Sequence, residues 1–167
     1  MKSFERIARA VADSQTSAPR AEGGCELVAL RDFSDCILDA YDAIATHAAL
    51  QARDTDGHIR RGPCNEDWRR AERDLLRPLD VDLQLTDSCV TALISTADYT
   101  AREISLGVEP RWIILLARHA KTETHPDAPG DACGFCSVEL PVEVEPAKCC
   151  AVLHDGLLGV RILRRRT

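Results

Sequence analysis

The residues of this 167-residue chain best equipped for chemistry are its cysteines, eight in all. Four of them stand close together, as Cys133-x-x-Cys136 and the adjacent pair Cys149-Cys150. Brought together across a hairpin, two such pairs offer four thiolates to one zinc ion, or two dithiols to a redox partner. Strand alternation opposes the zinc arrangement, because it sends Cys149 and Cys150 to opposite faces, away from a single tetrahedral site. Buried filler is the expected role, since a free cysteine packs as a small hydrophobe. His119, His125 and His154 fall near loop signals, and none stands at metalloprotease spacing from a Glu. No Gly-rich phosphate loop and no Gly-x-Ser-x-Gly elbow occurs in the sequence. The expectation is a protein that is not an enzyme, with no catalytic residues, no metal and no cofactor.

The totals narrow the partners. A formal net charge of −6 argues against nucleic acid, whose phosphates draw on clustered Lys and Arg. The one dense basic cluster, Arg164 to Arg166, reads as a solvated tail. No apolar run approaches the roughly 20 residues that a membrane span requires, so no membrane association is expected. Met1 to Ala12 carries charges throughout and lacks the apolar block of a secretory signal, which sets the expectation of a cytoplasmic protein with reduced thiols. Aromatic residues make up only 4% of the chain, so its core must be built from Leu, Ile, Val, Ala and Cys.

The elements that position these residues follow from periodicity. Phe4, Ile7, Ala8 and Val11 form one narrow apolar stripe of a short helix, and residues 13–24 read as a flexible connector. Ser34 reads as the N-cap of a helix running to about Ala52, with Ile37, Tyr41, Ile44, Ala45 and Ala48 along one face. Asn65 reads as the N-cap of a second helix that buries Trp68, Ala71 and Leu75. After Pro78 the apolar period changes from helical to alternating, and seven short strands follow with no helix between them. They centre on Val81–Leu85, Val90–Ile94, Ile104–Val108, Trp112–Ala117, Cys136–Leu140, Cys149–Leu153 and Leu158–Ile162. Such a series makes a sandwich, because a parallel sheet needs crossover helices. The domain reading is a short helix and connector over 1–33, a helical hairpin module over 34–78 and a sandwich over 79–167.

The stretch Val138 to Leu158 resembles the most recognisable part of the small-heat-shock-protein (α-crystallin, Hsp20-like) domain. That family closes a strand in Leu-Pro, here Leu140-Pro141, and then carries an Ala-x-x-x-Asn/Asp-Gly-Val/Leu-Leu signature. Ala151, Asp155, Gly156, Leu157 and Leu158 fit it. Asp155-Gly156 supplies the positive-φ pair of a tight hairpin, Ala151 is small where strands pack closely, and Leu158 fills the core. Val81 to His119 resembles the family's first four strands in length and alternation. Three departures stand out: Ala97-Asp98-Tyr99 replaces the usual Pro-Gly turn, the loop from Lys121 to Asp131 is short and lacks the strand that many relatives exchange between dimer partners, and no Ile-x-Ile anchor follows the last strand. Residues Ile44 to Leu76 resemble a second family, a helical module of unknown function with a Glu-Asp-Trp-x-x-Ala-Glu signature, here Glu66, Asp67, Trp68, Ala71 and Glu72.

The first resemblance implies a mainly β fold, an immunoglobulin-like antiparallel β-sandwich of α-crystallin type with a helical region before it. It also implies ATP-independent holding of unfolding polypeptides in the stress response. Its client groove would be lined by Ile104, Leu106, Val152 and Leu153, with the stripe of Phe4, Ile7 and Val11 as a second client surface. The alternative is a non-catalytic adaptor that binds one dedicated protein partner through the same sandwich, and the last reading is a cysteine-based zinc or redox switch. A homodimer is possible under the first two.

Overall fold

The computed structural model describes residues 25–52, 64–97, 99–119 and 133–165. The strands expected after Pro78 are all present, as β4 (Val81–Leu85), β5 (Cys89–Ser95), β6 (Ile104–Glu109), β7 (Trp112–Ala117), β8 (Cys133–Glu139), β9 (Val144–His154) and β10 (Leu157–Arg164). Three shorter strands escape the sequence reading: β1 (Glu26–Leu27), β2 (Leu30–Arg31) and β3 (Leu76–Pro78). Two or three residues are too few to display a period.

The strands form two five-stranded sheets, one ordered β1-β9-β10-β5-β4 and the other β2-β6-β7-β8-β3. Every pair in the first sheet is antiparallel. The second sheet is mixed: β6, β7 and β8 are antiparallel, whereas β2 joins β6 and β3 joins β8 in parallel. The expected antiparallel sandwich is present, with two short parallel pairings added at the flanks of the second sheet, in segments that adjoin the helices.

Between the sheets lies one core, into which alternate residues point. Val90, Ala92 and Ile94 enter from β5, Ile113 and Leu115 from β7, and Leu158, Val160 and Ile162 from β10. Complete burial of each large side chain contributes about 1.5–3 kcal/mol, which is why strand register is fixed so firmly here. Asp155 and Gly156 have φ of 47° and 72°, so the β9–β10 hairpin turns on two left-handed residues, as Asp-Gly predicts. A Cβ on Gly156 would lie 2.7 Å from the Ala97 Cα, so backbone packing also demands glycine there. The buried Thr96 secures that contact, its N–H donating to the Gly156 carbonyl at 2.7 Å.

Helix α1 spans Phe33–Gln51 and helix α2 spans Asn65–Leu75. The first is capped by Asp32, whose carboxylate accepts from the Ser34 N–H at 2.8 Å, so its cap lies two residues before the Ser34 expected from sequence. Cys64, not Asn65, holds the cap position of α2, and its N–H donates to the Asp67 carboxylate. The helices cover the outer face of the second sheet, where Ala40 and Leu75 pack with Leu116 and Cys133. Tyr41 and Trp68 tie the two helices together, their ring centroids 5.0 Å apart. Among the described residues no helix is long and apolar enough to cross a membrane.

At both open sides of the sandwich the chain passes from one sheet to the other. On one side β1 lies against β9 and β2 against β6. On the other, β3 lies against β8 and β4 against β5. Leu79 makes the second crossing, its N–H donating to the Phe135 carbonyl at 2.9 Å.

Candidate functional site

The side of the sandwich bounded by β6 and β9 is a groove that accepts an extended chain, and residues 25–31 of the protein's own chain lie in it. Glu26 and Leu27 pair with Leu153 and Val152 of β9, and the Val28 N–H donates to the Ala151 carbonyl at 3.0 Å. Two residues later Leu30 and Arg31 pair with Leu106 and Gly107 of β6. The strap thus satisfies backbone groups of two different sheets within one short segment.

Val28 stands midway between these pairings. It is only 6% exposed and belongs to the same core cluster as Ile104, Leu106 and Leu153. Its neighbours Leu27 and Leu30 are 56% and 40% exposed. One buried side chain flanked by exposed ones is the pattern of a plug inserted between two sheet edges. Downstream the strap is fastened by Arg31, which donates to the Asp39 carboxylate of α1 at 2.6 Å and to Ser105 Oγ at 3.0 Å. Gly107 permits α1 to start immediately beyond, because a Cβ there would lie 2.9 Å from the Phe33 Cα.

None of the four groove residues expected from sequence is exposed while the strap is in place. Ile104, Leu106 and Leu153 belong to the sandwich core, whereas Val152 packs with Leu93 in a separate cluster that includes Cys25, Cys150 and Leu157. Alternation is the reason, since the consecutive Val152 and Leu153 must face opposite ways. Phe4, Ile7 and Val11 lie outside the described residues. Of the signature positions, Leu140, Ala151 and Leu158 are buried, Pro141 is exposed at a bend, and Leu157 is half-buried. Val28 itself was not legible as a site residue, its one signal being the apolar run Leu27-Val28-Ala29-Leu30.

The cysteines are dispersed. Cys136 points into the core and Cys133 to the helix-covered face of the same sheet. Cys149 packs against the core from β9, and Cys150 lies on the outer face of the first sheet. Among the described residues no group of three or more His, Cys, Asp or Glu side chains converges as a metal site would, and no disulfide forms. Burial pushes the Cys136 thiol up to about 12, against a smaller opposing contribution from a backbone hydrogen bond of Leu115. Burial, with the neighbouring Cys150 adding to it, likewise pushes Cys149 up to about 12. Burial alone would also raise Cys89, but hydrogen bonds from Thr86 and Arg161 outweigh it and leave this thiol below its ordinary value.

No family model and no curated protein matches the chain. Solved structures similar to it include heat shock protein 16.0 from Schizosaccharomyces pombe, at 9% identity over 55% of this chain and 69% of that one, with a TM-score of 0.46. HSP18.5 from E. histolytica is similar at 15% identity over 53% of this chain and 88% of that one, with a TM-score of 0.43. The rat alpha crystallin domain is similar at 21% identity over 53% and 93%, with a TM-score of 0.37. Among the described residues the fold is a mainly β sandwich with two helices, and the solved structures similar to it are small heat shock proteins and an α-crystallin domain.

Proposed function

We propose that this protein is an ATP-independent holdase of the small-heat-shock type, and that the β6–β9 groove is where it grips unfolding polypeptides. The observation that carries the reading is the seating of residues 25–31. An extended segment there gains backbone hydrogen bonds on two sheets and buries one apolar side chain, at Val28. Those are the terms on which unfolded chains of varied sequence bind, because backbone pairing is common to all of them and a single apolar residue is rarely far away. The strap is then an internal occupant that a client displaces, after which Ile104, Leu106 and Leu153 form the groove floor. The stripe of Phe4, Ile7 and Val11 is proposed as a second client contact.

The test is suppression of aggregation of a heated client protein without ATP, comparing the wild-type chain with Val28→Asp, whose buried carboxylate would expel the strap. Protection is expected from both, at a lower chaperone-to-client ratio for the variant. Absence of protection by either protein at any ratio refutes the reading.

The adaptor alternative has its own support in α1, where Ile37, Leu38 and Tyr41 are each at least 45% exposed. A continuous apolar strip on a helix suits one folded partner. Light scattering separates the readings: a polydisperse assembly fits the holdase, and a monomer or dimer fits the adaptor.

A further inference from the structure

Helix α1 keeps an apolar strip that none of the described elements covers. Cys36, Ala40 and Ala48 make its buried side, whereas Ile37, Leu38 and Tyr41 are 45%, 57% and 56% exposed. The half-buried Ala45 continues the strip by one turn, and Tyr41 is steadied against Trp68 of α2. The solvent side of a surface helix is ordinarily polar, so apolar side chains clustered there mark a contact.

Charge narrows what can lie on it. The helix carries Asp35, Asp39 and Asp42 and no Lys or Arg. Asp39 is paired with Arg31, whereas Asp35 and Asp42 stand in no ion pair among the described residues. A second copy laid strip to strip would set these acids against one another, so the fitting occupant is apolar on one side and net positive. Residues 1–12, which lie outside the described residues, meet both terms by sequence. They bear Lys2, Arg6 and Arg9 against Glu5 alone, and Phe4, Ile7, Ala8 and Val11 recur at helical spacing. So short a helix is marginal without a surface on which to bury its stripe. Phe4 to Val11 would run about 10 Å as a helix, close to the roughly 12 Å from Ile37 to Ala45. Residues 13–24 can reach about 40 Å when extended, and they join the strap at Cys25, close in sequence to the start of α1 at Phe33.

We propose that residues 1–12 dock on the exposed face of α1 in the resting protein, with Phe4, Ile7 and Val11 against Ile37, Leu38 and Tyr41. Each apolar surface then covers the other until a client or partner competes for one of them. The inference rests on the holdase reading only in taking the Phe4 stripe as a client contact, and the docking itself is tested with no client present.

The experiment is limited trypsin digestion of the full-length protein, with cleavage after Arg6 and Arg9 timed by mass spectrometry and cleavage after Arg20, in the connector, as the internal reference. Cleavage after Arg6 and Arg9 tracks the undocked population. Leu38→Asp, at an exposed position, should speed it by about tenfold, the effect of losing one leucine from an apolar contact, and leave Arg20 unchanged. Ile7→Asp reads the same contact from the other side: in the full-length protein it should shift the amide signals of Ile37, Leu38 and Tyr41 and leave that of Ile162 in place. Both effects should be independent of protein concentration. Cleavage after Arg6 and Arg9 that Leu38→Asp leaves unchanged, or α1 signals that Ile7→Asp leaves unmoved, overturns the proposal. Protection that disappears on dilution also overturns it, by assigning the strip to a second copy. None of these readouts involves a client, so the docking and the holdase reading fail separately.

Discussion

Replacing Val28 by Ala tests how firmly the strap is held. The substitution removes two methyl groups from a side chain that is 6% exposed. At about 0.8 kcal/mol for each buried carbon, the strap loses about 1.6 kcal/mol before any contribution from the cavity left behind. Because, among the described residues, the pairing at this edge is confined to residues 26–31, the loss should fall on local opening of the strap, not on unfolding of the whole. Its opening equilibrium should then rise by about 15-fold, as 1.4 kcal/mol corresponds to tenfold. Native-state hydrogen exchange reads this directly. Amides of Glu26 to Arg31 should exchange about 15-fold faster, while those of β10, paired on both sides within its sheet, should be little changed. Equal acceleration in the strap and in β10 would mean that the strap opens only when the sandwich unfolds, and the groove would then never be vacant in the folded protein.

Further outcomes follow from other contacts. Gly156→Ala places a side chain at φ 72° and against the Ala97 backbone, so it should lower the free energy of unfolding by at least about 1–2 kcal/mol in urea titration. Gly107→Ala should push the start of α1 away from β6 and speed exchange at the first turn of that helix without altering the β9–β10 hairpin. Cys136 and Cys149 keep their protons in the folded state up to about 12, whereas an unfolded thiol releases its proton near 9. The unfolded chain therefore binds fewer protons across that window, and stability should fall as pH rises through it, by up to roughly 1 kcal/mol per pH unit for each thiol. Cys136→Val should flatten the decline, measured as the urea midpoint at a series of alkaline pH values, and an unchanged slope would contradict the buried-thiol assignment.

The sandwich was legible because its strands carry a period. Val90, Ala92 and Ile94 recur at every second position and all three are buried, and Asp155-Gly156 announces its turn by residue type alone. The four residues expected to line a groove are all buried in the structure. Leu153 was expected to line it, but whether a core side chain is covered by a facing strand or by a passing segment is decided by tertiary contact, which alternation does not encode. The strap was the least visible of all. Val28 is one apolar residue in a run of four, and the strap's partners, Ala151 for Val28 and Leu106 for Leu30, lie far along the chain.

The crossing at Val28 also bears on how the molecule is made. Synthesis delivers the strap well before its β9 partner, so residues 26–28 emerge long before the strand they pair with. The hairpins β4–β5 and β6–β7 join neighbours in sequence and can form as they emerge. A newborn chain thus passes through a stage in which its earlier hairpins are already formed while one flank stays unlaced until β9 leaves the ribosome.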